Sequence, residues 1–356
     1  MASLEFERIR WLTRLTGSAS PRGMAGRTIL GIGDDAALWQ APRGHGTVLT
    51  VDIQVEGVHF RRAWLSPGEM GARAVAASAS DLAAMAARPA GVLLSFTLPQ
   101  GTSEGFFRAL YRGALEEARR TGLRILGGNL SSGALQIAVT SVGAVLPRDA
   151  LRRSGARVGD GIYVTGWPGR SRIGRGILEA DGRTRAAVPA RARAACRRAF
   201  ARPKARIREA LWIRRRLHPR SMVDISDGLS LDLLHILEQG TGSGTARRRC
   251  PGAVLDAERI IGLLQEGRCA AAARRLDLDP LEAALSGGED YEILFTAPPG
   301  AADRSGPAFR RLFAIPLTRI GTVERQGGIR LRQETGGGGR RVAAKGFDHF
   351  SQRSDR

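Results

Sequence analysis

Short apolar runs read as strands at residues 28–32, 47–52, 91–98, 123–126 and 135–146, with stretches of helical spacing between them. The clearest helix opens at Ser66, whose hydroxyl suits an N-cap. Pro67 stands at its first position, Glu69 completes a capping box, and Pro89 stops it. Its body, 71–87, is mostly Ala, Ser and Gly, so the spacing predicts a helix packed closely on a sheet or on another subunit. A second helix over 103–120 ends at Gly122 as its C-cap. Residues 1–17 read as a charged amphipathic helix without the apolar centre of a signal peptide, and no run approaches 18 uninterrupted apolar residues, so no membrane span is expected.

Around residues 147–160 the pattern resets in a basic, turn-rich stretch, which predicts a domain boundary. The expected division is an N-terminal domain over 1–148, a C-terminal domain over 149–350 and a tail over 351–356. The second part reads as strands at 161–165, 222–225 and 291–297 and helices at 203–217 and 229–238. Segments 240–252, 298–307 and 336–339 read as loops with the least order, and no repeat of 20–50 residues is visible. The fold class expected is α/β (α+β) in two domains, in keeping with 356 residues.

Composition alters this picture in one respect. An apolar fraction of 43% and a charged fraction of 25% belong to an ordinary globular chain and exclude wholesale disorder or a fibrous rod. The net charge, however, is +21, from 55 basic and 34 acidic residues, and all but Lys204 and Lys345 of the basic residues are arginine. The arginines are scattered, their longest runs are only 214–216 and 247–249, and aromatics that would stack on bases make up just 5%. Nucleic acid is therefore expected to bind only non-specifically and at low salt. Cys196, Cys250 and Cys269 are odd in number and lack Cys-x-x-Cys spacing, so neither a disulfide framework nor a zinc site is expected, and a reducing cytoplasm fits.

The familiar phosphate-binding motifs fail. Lys204 is followed by Ala205 and Lys345 by Gly346, so there is no P-loop, and protein-kinase signatures are missing. A dinucleotide turn at Gly31-Ile-Gly33 would set Asp34 and Asp35 where a pyrophosphate belongs, and Pro42, Gly44 and Gly46 leave no room for the crossover helix. What remains is a series of carboxylates: Asp34 and Asp35 after a strand, Asp52 at a strand end, Asp81 on the small-residue helix, Asp224 and Asp227 around Ser226, and Glu289-Asp290 behind two glycines. Any one alone suits a turn or a cap. Gathered at strand ends they would repel one another unless hard divalent cations, chiefly Mg²⁺, took their oxygens, and such ions shared with substrate phosphates serve phosphoryl transfer.

At these residues a resemblance becomes specific. Gly31-Ile-Gly-Asp-Asp-Ala-Ala37, Val51-Asp-Ile-Gln-Val-Glu-Gly-Val-His-Phe60, Ser80-Asp-Leu-Ala-Ala-Met85, Arg153-Ser-Gly-Ala156, Gly159-Asp-Gly-Ile-Tyr-Val-Thr-Gly166, Asp224-Ile-Ser-Asp-Gly-Leu229, Ser286-Gly-Gly-Glu-Asp-Tyr-Glu292 and Gly346-Phe-Asp-His-Phe350 follow one another over residues 6–350 in the order of the thiamine-monophosphate kinases, which the chain resembles. The last two elements separate that family from its PurM-like relatives, the aminoimidazole ribotide synthetases, selenophosphate synthetases and hydrogenase maturation factors. The resemblance implies a PurM-like fold with an N-terminal sheet domain that dimerises and a C-terminal α/β domain. It implies ATP as co-substrate and thiamine monophosphate as acceptor, transfer to thiamine diphosphate without a covalent enzyme intermediate, several Mg²⁺ ions, a homodimer and a cytoplasmic location.

Carried over position by position, the resemblance makes Asp35, Thr50, Asp52, Asp81, Asn129, Asp224 and Asp227 the metal set, and Gly128, Asn129, Arg153 and Ser226 the ATP contacts. It makes His59, Glu289 and Phe347 the acceptor contacts, with no residue serving as general base. Phe347 stands where the family often has Tyr, keeping an aromatic face and losing a hydroxyl. Asn129 stands where the family often has a metal-ligating Asp, offering a carbonyl oxygen with one charge fewer. Arg172 and Arg175 fall in 169–176, which is similar to the family's small-residue turn facing phosphate. Two other readings stay open at the level of sequence: another ATP-dependent PurM-like enzyme, and a basic RNA-binding protein that kept the fold and lost catalysis.

Overall fold

The computed structural model describes residues 4–16, 24–32, 36–239, 250–332 and 340–347. Asp34, Asp35, Asp348, His349, Phe350, the tail at 351–356, and the loop expectations at 240–249 and 336–339 therefore lie outside the described residues. The chain divides into two compact units, Met1–Ala150 and Leu151–Arg356.

In the N-terminal unit, helix α1 (Leu4–Thr16) precedes a two-stranded antiparallel ribbon of β1 (Arg27–Leu30) and β2 (Leu38–Gln40). Then come β3 (Gly46–Val55), α2 (Pro67–Ala84), β4 (Arg88–Leu98), α3 (Glu104–Thr121), β5 (Arg124–Ser132) and β6 (Gln136–Val145). The four long strands form a sheet in the order β3-β6-β4-β5, with β4 and β5 parallel across the α3 crossover and the other pairs antiparallel.

Helix α2 begins as its sequence demands: Glu69 N donates to Ser66 Oγ at 3.4 Å while Ser66 N donates to Glu69 Oε2 at 2.9 Å. Its small residues serve a close helix crossing. A Cβ on Gly71 would lie 2.0 Å from the Leu110 carbonyl oxygen, and one on Gly113 would lie 1.9 Å from that of Gly68. The partner on that side is thus α3, within the same unit. Along β3 the side chains alternate, with Leu49, Val51 and Ile53 exposed and Val48 and Gln54 buried. Gln54 accepts from Nε of Arg73, a fully buried arginine of α2, at 3.1 Å.

The C-terminal unit is built on a seven-stranded sheet. In chain order its elements are β7 (Gly161–Thr165), α4 (Arg170–Glu179), α5 (Gly182–Ala187), α6 (Ala190–Ala201), α7 (Ile207–Leu217), β8 (Ser221–Asp224), α8 (Leu229–Gln239) and β9 (Gly252–Asp256). They continue as α9 (Ala257–Glu266), α10 (Ala270–Arg275), α11 (Pro280–Ser286), β10 (Ile293–Ala297), α12 (Gly306–Phe313), β11 (Leu317–Glu324), β12 (Gly328–Arg332) and β13 (Arg340–Val342). The spatial order is β13-β12-β9-β11-β7-β10-β8, with only β12 and β9 parallel. Every residue of β7, β8 and β10 is buried, because these strands are covered on both faces. One core joins Ile162, Val164, Val223 and Leu294 of the sheet to apolar residues of the helices.

Two expectations change here. Residues 170–201, to which the sequence pattern assigns no helix, fold into α4, α5 and α6, and a Cβ on Gly174 of α4 would lie 2.1 Å from the Cys196 carbonyl oxygen of α6. Cys196 and Cys269 are also joined as a disulfide with Cα atoms 6.5 Å apart, while Cys250 is free and exposed. That corrects the expectation of wholly reduced cysteines. At a sequence separation of 73, the pair has no local signature, and the packing of α6 against the turn before α10 brings the two together. Among the described residues, no helix is long and apolar enough to cross a membrane.

Candidate active site

The N-terminal unit gathers its oxygen donors between β3 and α2. Thr50 Oγ1 donates to Asp81 Oδ2 at 2.5 Å, and Asp52, two residues along β3, points to the same side of the sheet. The register carries the Asp52 row through Val139 and Leu94 to Gly128 on β5. Asn129 alternates away from that row. It pairs with Ser95, and two residues on, Ser131 meets Thr97 hydroxyl to hydroxyl at 3.2 Å, on the face shared with Ile53. Within this unit Thr50, Asp52 and Asp81 are therefore brought together and Asn129 is not; Asp35 lies outside the described residues. His59 follows β3 in a turn where its Nδ1 accepts from Val55 N at 3.0 Å. With Nδ1 so occupied, a neutral ring carries its proton on Nε2.

In the C-terminal unit a single turn, 224–228, organises the rest. Asp224 ends β8, is 2% exposed and pairs with Ile293 of β10. Past it the main chain is held on both sides: Ile225 N donates to Glu292 O at 2.8 Å, Tyr291 N to Ile225 O at 2.8 Å, Glu289 N to Ser226 O at 2.7 Å and Phe347 N to Asp227 O at 3.0 Å. The backbone of 224–228 thus places Glu289 and Phe347 while its side chains present Ser226 and Asp227. Arg153 is exposed on the neighbouring segment, which Met222 N fixes by donating to Arg152 O at 2.9 Å.

Asp232, in the first turn of α8, supports this turn from behind. Its Oδ2 accepts from the backbone N–H groups of Ser226, Asp227 and Gly228 at 3.1, 3.2 and 3.1 Å. Burial, reinforced by the nearby Asp227 charge, pushes the Asp232 carboxyl up to about 7. Asp227, Asp232 and His235 each bring a ligand atom within 4.8 Å of the others. Asp232 and His235 were not singled out from sequence, since an acidic residue in a first helical turn and a histidine one turn later are ordinary in any helix.

The acidic motif at 289–292 divides its work. Gly288, Glu289 and Tyr291 all have positive φ, at 65°, 55° and 53°, a conformation that costs non-glycine residues energy and is held here by the hydrogen bonds to Ile225 and Ser226. Glu292 forms a two-pronged pair with Arg206, at 2.7 Å from Nε and 2.5 Å from the terminal nitrogen, and accepts from Thr165 Oγ1 at 2.7 Å. Asp290 turns inward and accepts from Gly169 N at 2.6 Å and Ser171 N at 3.0 Å, closing the start of α4; burial pushes its carboxyl up to about 8. Arg170 N is taken by Trp167 O at 3.3 Å. The amides of residues 169–171, the start of this stretch, are thus spent within the protein. Arg175 pairs with Glu179 at 2.7 Å, and Arg172 lies 3.8 Å from the same carboxylate.

With this geometry in view, residues 33–145 match the family model for the AIR synthase related protein, N-terminal domain. The chain is 35% identical over 308 residues to the thiamine-monophosphate kinase of Synechococcus elongatus, an alignment spanning 84% of this chain and 86% of that protein. Its fold matches the crystal structure of thiamine-monophosphate kinase from Stenotrophomonas maltophilia with a TM-score of 0.72 and 30% identity, over 93% of this chain and 96% of the other. A further structure, AaThiL complexed with AMPPCP and TMP, matches with a TM-score of 0.71 and 26% identity over 97% of both chains. Similarity at this level over most of the length places the chain in a family: it belongs to the thiamine-monophosphate kinases.

Proposed function

We propose that the protein transfers the γ-phosphoryl group of ATP to the phosphate of thiamine monophosphate, giving thiamine diphosphate. The observation that carries the reading is the 224–228 turn, whose carbonyls at Ser226 and Asp227 hold the main chain of Glu289 and Phe347. A donor set and an acceptor contact built on one short segment suit a reaction that must align two phosphorylated substrates. The kinship with proteins named for this activity, and with one complexed with AMPPCP and TMP, supports it.

A phosphate monoester with a second pKa of about 6 is already mostly dianionic at neutral pH, so the attacking oxygen needs no general base. The work left to the protein is alignment and charge neutralisation. In this reading Asp35, Thr50, Asp52 and Asp81 of the N-terminal unit and Asp224 and Asp227 of the C-terminal unit are the Mg²⁺ ligands, and Asn129, on the opposite face of the sheet from Asp52, falls outside the set. Carboxylate and hydroxyl oxygens suit that hard ion, which supplies neutralisation of phosphate charge when bound. Gly128, Arg153 and Ser226 meet ATP, and His59, Glu289 and Phe347 meet thiamine monophosphate, His59 through the Nε2 proton left by its bond to Val55.

The protein is further read as a homodimer through the N-terminal sheet. Leu49, Val51 and Ile53, at 67%, 69% and 40% exposure, share a face with Leu93 at 37%. Val51 and Leu93 lie in one row through Thr140, which makes an apolar band of the kind a partner sheet covers. The deciding experiment is a magnesium-dependent assay for thiamine diphosphate from ATP and thiamine monophosphate. Turnover is expected with this acceptor and not with aminoimidazole precursors; ATP consumption only with the latter would overturn the reading.

A further inference from the structure

We infer that Ser230 is a positioning residue for the acceptor substrate, acting through Phe347. The inference rests on the reading that Phe347 meets thiamine monophosphate. Ser230 sits in the first turn of α8 and is 1% exposed. A serine inside a helix ordinarily points its hydroxyl to solvent or to a carbonyl of the preceding turn. This one does not. Its Oγ donates to Lys345 O at 2.9 Å and accepts from Lys345 N at 3.1 Å, so a hydroxyl that is both donor and acceptor clips the two polar groups of a single distant residue.

That clip fixes the chain direction just before Gly346 and Phe347. Gly346 passes so near α8 that a Cβ there would lie 2.5 Å from Leu231 Cδ2 and 2.8 Å from Asp227 O, and Phe347 N then reaches Asp227 O at 3.0 Å. Residues 343–347 have no helix or strand of their own, so contacts of this kind, and no regular ladder, set where the Phe347 ring stands. The donor-bearing residues 226 and 227 and the clip at 230 belong to one continuous piece of chain, which registers the acceptor contact against the metal-facing carboxylate.

The test compares Ser230→Ala, Phe347→Ala and the double variant, all in the full chain. Steady-state kinetics with thiamine monophosphate varied at saturating ATP are read beside binding of a non-hydrolysable ATP analogue. Ser230→Ala should raise KM for thiamine monophosphate about fivefold, the loss set by hydrogen bonds of ordinary strength, and by more than it lowers kcat. Analogue affinity should stay within about twofold of the parent. In the Phe347→Ala background the same change should add nothing, a result that a merely structural serine would not give. A raised KM in Phe347→Ala with an unchanged KM in Ser230→Ala overturns the inference and leaves the role of Phe347 standing. Additive effects in the double variant also overturn it, and an unchanged KM in Phe347→Ala removes both.

Discussion

Thr50 donates its hydroxyl hydrogen to Asp81 Oδ2 at 2.5 Å, tying β3 to α2 at the point where their oxygen donors meet. The bond restrains the Asp81 carboxylate and sets the Thr50 hydroxyl beside it. Thr50→Val, which keeps the shape and loses the hydroxyl, should raise the Mg²⁺ concentration for half-maximal activity about tenfold, the usual penalty for removing a group that orients a ligand. Asp81→Ala should abolish turnover. Both should keep the parent far-ultraviolet circular dichroism, and a Thr50→Val titration overlying that of the parent would remove the hydroxyl from the metal environment.

The Glu292–Arg206 pair should matter to stability more than to chemistry. Arg206 is nine-tenths buried and Glu292 more so, and with Glu292 removed Arg206 keeps only Glu209, 3.6 Å away, so the cost should fall below the roughly 3–5 kcal/mol of a fully stranded buried charge. Gly166 stands against the same carboxylate: its φ is +59°, and a Cβ would lie 1.9 Å from Glu292 Oε1. Glu292→Ala and Gly166→Ala should each lower the urea midpoint markedly with little change in its slope. A midpoint equal to the parent for Glu292→Ala would show that the pair is energetically neutral.

What could be read from the residues follows from the range over which each signal acts. The capping box at Ser66 and the Gly122 cap of α3 are local chemistry and lie where the sequence sets them. Helices α4 to α6 carry buried residues at helical spacing, Ile173 and Ile177 in α4 and Ala192, Cys196 and Phe200 in α6, but Gly174 and Gly176 lower the helix propensity of α4 and α5 is only six residues long. The Cys196–Cys269 bond and the Ser230–Lys345 clip join residues far apart in the chain, with nothing nearby to announce them. Position along a strand also says less than register. Asn129 lies next to Gly128, yet alternation turns it to the other face of the sheet from Asp52.

Asp290 gives a pH dependence with a definite sign. Its carboxyl is pushed up to about 8 by burial, while an unfolded aspartate titrates near pH 4. Between those values the folded state holds a proton that the unfolded state has released, so stability falls as pH rises through this window and levels off above it. Asp232, raised to about 7, adds a fall of the same sign. Asp290→Asn should flatten, and not abolish, the decline in melting temperature between about pH 5 and 8. An equally steep decline in the variant would place the titration elsewhere.

The disulfide predicts a thiol count. Protein denatured without reductant should take up one equivalent of alkylating reagent, at Cys250, and two more after reduction, at Cys196 and Cys269. Because the bond closes a long loop, Cys196→Ser should lower stability by about 2–4 kcal/mol. Three reactive thiols before reduction would show that the pair is not joined in solution.

The exposed band on the N-terminal sheet provides the last test. Val51 is 69% exposed in the middle of a ten-residue strand, between Leu49 and Ile53, which are also exposed, and its row continues through Thr140 to Leu93. On the opposite face the same strand carries Thr50 and Asp52, so a substitution at Val51 alters the band without replacing a proposed ligand. Val51→Glu would bury a carboxylate against a partner sheet, and an unpaired charge taken out of water costs several kcal/mol in each copy. Equilibrium sedimentation should give the mass of two chains for the parent and of one for the variant at micromolar concentration, with the melting temperature of the variant becoming independent of concentration. A variant that still sediments as a dimer would move the interface off this face, and a monomeric parent would end the proposal of a homodimer.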